Sequence, residues 1–160
     1  MNSGASFSDC GTYRYHLWRA LTDDLFGGTS MLFVMLNPST ANVEDDDPTI
    51  RRCRAFAQRE GATRLEVCNL FGLRSTDPQG LYEARDPVGE DNDEAIQRAA
   101  SEADDVVVAW GCHGDRWPAR VRRVLSYIER PLCLGTTASG QPRHPLYLHR
   151  GTPISLYPYH

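Results

Sequence analysis

Six consecutive apolar residues, Met31 to Leu36, run straight into Asn37-Pro38-Ser39-Thr40. The run has the length of a strand, and four turn formers stop it. An unbroken apolar run means a strand covered on both faces, as in a parallel sheet flanked by helices. Ligands of such sheets bind at the carboxyl ends of the strands. The Asn37 to Thr40 turn is therefore either an ordinary strand ending or the first wall of a site.

The rest of the chain supplies partners for that strand. Gly11 to Leu25 opens with Tyr13, Tyr15 and Leu17 alternating with Arg14, His16 and Trp18, which predicts a half-buried strand. Asp47-Pro48 starts a helix, with Asp47 as N-cap and Pro48 in the first turn. Its apolar stripe is Ile50, Cys53, Phe56 and Ala57, and Gly61 ends it. Arg64 to Leu70 reads as a second strand. Asp91 to Glu94 opens a helix burying Ile96, Ala99, Ala100 and Ala103. Asp105 to Trp110, with the apolar run Val106 to Ala109, forms the third parallel strand, Asp115 to Arg130 a further helix, and Pro131 to Leu134 a fourth short strand. Pro153 to Pro158 adds an edge segment. This alternation predicts a three-layer α/β/α fold around a central four-stranded parallel sheet, with an N-terminal edge strand or hairpin. All 160 residues fit one α/β domain.

Charge and cysteine usage narrow the chemistry. A net charge of −4 argues against a strong non-specific nucleic-acid binder. All 17 basic residues are arginine, which excludes a lysine Schiff base and a P-loop lysine. The five cysteines are scattered without a C-x-x-C pair, so no disulfide framework or zinc ribbon is expected. Cys68 and Cys133 read as small buried hydrophobes. No cofactor and no metal site is expected. No apolar run approaches the roughly 20 residues of a membrane span, and no signal-like segment opens the chain. The expected address is cytoplasmic, with no membrane partner.

Four strand ends share one rim in a parallel sheet, so their polar residues converge. The first loop brings Asn37, Ser39, Thr40 and the acids Glu44 to Asp47. The second brings Asn69, Phe71 and Arg74, the third Trp110 and His113, and the fourth Arg143 and His144. Asn37 can hold a water or an amide-like edge. His113 and His144 can donate to a developing anion or move a proton near neutrality. Arg74 and Arg143 can clamp phosphate, and Trp110 or Phe71 can stack on a planar ring. Each also has a plain reading: Trp110 as core, Asn69 as a loop tie, and the acidic run as a solvated helix start. Asp77 and Asp86 cap turns before proline. No nucleophile-elbow pattern supports a Ser-His-Asp triad.

Leu36 to Ala41, Asp47 to Cys53, Asn69-Leu70-Phe71, Asp86 to Gly89 and Gly140 to Tyr147 resemble a bacterial and phage family defined only as a domain of unknown function, number sixteen forty-three. More distantly, Phe33 to Pro38 is similar to the strand and Gly-Ile-Asn-Pro-Gly turn of mismatch-specific glycosylases in the uracil-DNA glycosylase superfamily. Val67 to Arg74 and His144-Pro145 are similar to two further motifs of that superfamily. The resemblance implies that Asn37 positions the attacking water and His144 stabilises the departing base. It also makes Leu146 or Tyr147 the residue that wedges into the duplex. Ser39 stands where the superfamily has glycine, and Leu146 where it has serine.

Together these readings predict a nucleobase-handling hydrolase that cleaves an N-glycosidic bond, with nucleic acid or a nucleotide as partner. Asn37 and His144 carry the reaction, with Asp46 or Asp47 as electrostatic partner. Ser39, Thr40, Asn69, Phe71, Arg74, Trp110, His113, Arg143, Leu146 and Tyr147 contact the substrate. On this reading Asn37→Ala leaves stability nearly unchanged. The alternatives are a non-catalytic nucleotide-binding module and an enzyme acting on free nucleosides or nucleotides.

Overall fold

A computed structural model describes residues 3–23 and 27–159. Leu25, the expected end of the opening segment, and His160 lie outside them. The elements are β1 (Ser3–Phe7), β2 (Arg14–Ala20), β3 (Ser30–Met35), α1 (Pro48–Arg59), β4 (Arg64–Asn69), α2 (Gln79–Glu83), α3 (Asn92–Glu102), β5 (Asp105–Val108), α4 (Pro118–Leu125), β6 (Pro131–Cys133) and β7 (Ser155–Leu156). A 3₁₀ turn, Cys112–Arg116, precedes α4.

One seven-stranded sheet runs β1-β2-β4-β3-β5-β6-β7. β4, β3, β5 and β6 are parallel neighbours. β1 and β2 add an antiparallel pair on the β4 side, and β7 pairs antiparallel with β6. The sheet is therefore mixed: the expected parallel strands carry the N-terminal hairpin at one edge and, at the other, β7 within the expected 153–158 edge segment. The chain moves from β3 out to β4, then returns past β3 to β5. Right-handed crossovers in opposite directions place their helices on opposite faces.

The side chains of β3 record this. Met31, Phe33 and Met35 pack with Ile50, Cys53 and Phe56 of α1. Leu32, Val34 and Leu36 pack with Ile96, Val121 and Val124 of α3 and α4. Alternate β3 residues thus serve two cores, which is why the run contains no polar position. α1 starts as expected: Asp47 is extended and its carboxylate accepts the Ile50 N–H at 2.9 Å. All four stripe residues are buried, and burial of Ile50 and Phe56 stabilises by about 2 kcal/mol each. Gly61 turns the chain at φ 82.

Three local expectations change. Arg14 is 2% exposed, because β2 lies inside the sheet between β1 and β4, not at a wet edge. The helix expected over 115–130 splits into the 3₁₀ turn and α4, since Pro118 lacks the N–H to continue a preceding turn. Ala100 and Ala103 are only partly buried against the core. The five cysteines are free, with Cys53, Cys68 and Cys133 buried. Among the described residues, no helix is long and apolar enough to cross a membrane.

Candidate functional site

The register sets the rim. Met35 lies opposite Asn69, and Val34 opposite Val108, so the segments after β3, β4 and β5 leave the sheet side by side. They enclose a cavity of about 610 Å³. Its walls are the β3 turn with Asn37, Ser39 and Thr40, the start of α1 from Asp47 to Ile50, and Asn69. Ser75, Thr76, Pro78, residues 110–113, His144, Leu146, Tyr147 and Arg14 complete them. The volume falls in the range of small-molecule sites.

Asn37 is held firmly. Its Nδ2 donates to the carbonyls of Ser75 at 2.9 Å, Pro38 at 3.1 Å and Leu73 at 3.5 Å. The amide therefore ties the loop after β3 to the loop after β4. Its Oδ1 has no protein partner among the described residues and is the acceptor that remains.

His144 is fixed from its other side. Its Nδ1 accepts the Leu146 N–H at 3.2 Å, which assigns the proton of the neutral ring to Nε2. Burial lowers its pKa; Asp47 opposes the shift and His113 adds to it. At neutral pH the ring is a neutral Nε2–H donor. His113 is exposed and lines the same cavity.

The two acids differ. Asp47 lines the cavity, but its oxygens accept the Ile50 N–H at 2.9 Å and the Ala41 N–H at 3.3 Å. Asp46 lies outside the lining and bridges Arg19 at 2.8 Å and Arg54 at 2.9 Å. It fastens the 42–47 loop to β2 and α1 and is not part of the site.

Asn69 is 1% exposed, and its Oδ1 is buried without a partner. Trp110 is both core and wall: it is 1% exposed, lines the cavity, and its Nε1–H donates to Gln141 Oε1 at 2.8 Å. Leu146 and Tyr147 line the mouth. Tyr147 is 93% exposed at φ 72, an uncommon backbone state for a large residue.

Three expected contacts lie elsewhere. Phe71 is 1% exposed and packs edge-on to Trp117 at 4.8 Å, inside the α3/α4 core. The chain turns into the core after Asn69, so this ring cannot stack on a ligand. Arg74 sits over the Phe7 ring at 5.0 Å and donates to the Gly11 carbonyl. Arg143 is exposed and outside the lining. The residue that sequence reasoning missed is Arg14, a buried cation in the wall. Its signal is weak: a charged residue in an alternating strand normally faces water.

Among the described residues, no three His, Cys, Asp or Glu side chains gather as a metal site. The fold and its rim define an α/β protein with a cavity at the carboxyl ends of parallel strands. The chain belongs to the family described as Protein of unknown function (DUF1643), whose model matches residues 14–146. No curated protein and no solved structure matches it.

Proposed function

We propose that this protein is a nucleobase-handling hydrolase that cleaves an N-glycosidic bond, a reading that keeps the uracil-DNA glycosylase likeness of its motifs. One observation carries it. Asn37 and His144, more than a hundred residues apart in the chain, line the same cavity, each locked by its far side. Asn37 Oδ1 is left to accept a hydrogen bond from water, and His144 Nε2–H is left to donate.

In this reading the bond from C1′ to the base nitrogen breaks first, and its electron pair leaves with the base. Charge on the base builds towards the His144 Nε2–H, while the sugar gains oxocarbenium character. The water held by Asn37 adds to C1′, and its proton ends on the released base. Tyr147 replaces Phe71 as the aromatic surface available to the base, because Trp110, 1% exposed, has no free face. A base inside a duplex reaches this cavity only when extruded.

One observation favours a second reading, a non-catalytic module for a nucleotide or modified nucleic acid. Asp47 is the one acid in the described lining, and both its oxygens already accept backbone N–H groups. No free carboxylate is left as a base.

The test is incubation with single- and double-stranded oligonucleotides carrying uracil, hypoxanthine or modified pyrimidines. Free nucleosides and nucleotides run in parallel, and released base is followed by mass spectrometry. Release by the wild type and its loss in His144→Gln is the expected result. No release from any substrate, with a thermal shift from one of them, overturns the hydrolase in favour of the binding module.

A further inference from the structure

We propose that Arg14 is the centre of an anion subsite in this cavity, taking the phosphate monoester of a nucleotide. The proposal rests on the nucleobase reading of the same cavity and names the substrate's second recognition element.

Arg14 is a buried cation without an ion pair. It is 2% exposed and lines the cavity. Its Nη1 donates to the Ala41 carbonyl at 3.0 Å, and its Nε is buried with no partner. No carboxylate lies within ion-pair distance of it among the described residues. Asp47 acts on it through space, but that carboxylate is directed at the Ile50 and Ala41 N–H groups. A desolvated, unpaired guanidinium is costly unless an anion completes it.

The surroundings point to the same ligand. Arg19 and Arg74 add positive potential at Arg14, while Asp46 is engaged by Arg19 and Arg54. Burial lowers the Arg14 pKa to about 10, so it stays charged at neutral pH. The start of α1 forms part of the wall, and the N–H and hydroxyl of Thr49 have no partner among the described residues. The hydroxyls of Ser39, Thr40 and Thr76 line the cavity and are likewise free of protein partners among them. A guanidinium that shares the cavity with free hydroxyl donors matches the oxygens of a phosphate better than a neutral base edge does.

The experiment is calorimetric titration of the wild type at low salt. The ligands are a nucleoside, its 5′-monophosphate, and a short oligonucleotide with and without a 5′-phosphate, with inorganic phosphate as competitor. The expected result is at least tenfold tighter binding of the monophosphate than of the nucleoside, with inorganic phosphate competing. Arg14→Gln closes that gap, and Arg14→Lys restores part of it. A preference shared by the 5′-phosphorylated oligonucleotide assigns the phosphate to a strand end; a preference confined to the monophosphate assigns it to a free nucleotide. Should Arg14→Gln fail to fold, the wild-type comparison decides alone. Equal affinity for nucleoside and monophosphate, or no binding of either and none of phosphate, overturns the proposal. Base release is scored separately. Release without a phosphate preference removes only the subsite, and a phosphate preference without release removes only the hydrolase.

Discussion

Asn37 Nδ2 donates to the Ser75 carbonyl at 2.9 Å, and the Ser75 N–H donates back to the Pro38 carbonyl at 2.9 Å. This reciprocal pair joins two loops that the sequence separates by 38 residues. Asn37→Ala leaves the Ser75 carbonyl without its donor, while the Pro38 carbonyl keeps the Ser75 N–H, and is expected to cost about 1–3 kcal/mol. At roughly 2–4 °C per kcal/mol for a chain of this size, the loss is visible by calorimetry. A Tm within about 1 °C of wild type would refute the tie. This geometry replaces the expectation of nearly unchanged stability on removing Asn37, so loss of activity in Asn37→Ala must be read per folded molecule.

Asp46 belongs to the scaffold. Asp46→Ala strips a carboxylate from Arg19, which is 2% exposed, and from Arg54. The expected cost is about 3 kcal/mol, as for a broken buried pair, measured by urea unfolding. Ligand affinity of the folded fraction is expected to match wild type. A variant with wild-type stability and lost binding would return Asp46 to the site.

How much of this was legible depended on what each residue type can do alone. β3 and α1 could be read because an apolar run and an Asp-Pro start are local signals. The buried stripe of α1 is the one its 3.6-residue period predicts. Arg14 and Arg19 could not be read, because their burial comes from β1, β4 and the 41–47 loop closing over β2, which no pattern within β2 records. Phe71 misled for a related reason: it follows a strand end, where ligand contacts gather, yet the chain turns it into the core. Asn37 and His144 share a cavity, but which of their atoms are committed to the protein is a tertiary fact.

His144 gives stability a pH slope. Its folded pKa is lowered by burial, so the unfolded chain, near the ordinary value of about 6.5, binds the proton more readily. Stability is therefore full above the unfolded pKa. It falls as pH drops through that value and levels off below the folded one. In Tm measured from pH 7.5 to pH 5, wild type is expected to decline more steeply than His144→Gln. Parallel curves would exclude a buried, neutral His144.

Phe71 and Tyr147 are opposite cases. Phe71→Ala is expected to lose about 3–5 kcal/mol through the cavity left against Trp117. Tyr147→Gly removes a side chain that is 93% exposed from a residue at φ 72. Its Tm is expected to stay within about 2 °C of wild type, because glycine tolerates that backbone state without strain. Ligand affinity is expected to fall. Unfolding by Tyr147→Gly, or tolerance of Phe71→Ala, would contradict the packing described here.

α1 has a second attachment besides its buried stripe. Arg52 donates to the Leu148 carbonyl, and Arg59 to those of Arg150 at 2.7 Å and Thr152 at 2.6 Å. One end of the helix forms a wall of the cavity while its flank grips the segment that follows His144 and Tyr147. Two walls far apart in sequence are thus fastened to each other, and a jaw held in this way is expected to keep its gap before any ligand arrives. A guest entering such a jaw orders little of its host, so a modest number of polar contacts suffices for tight capture.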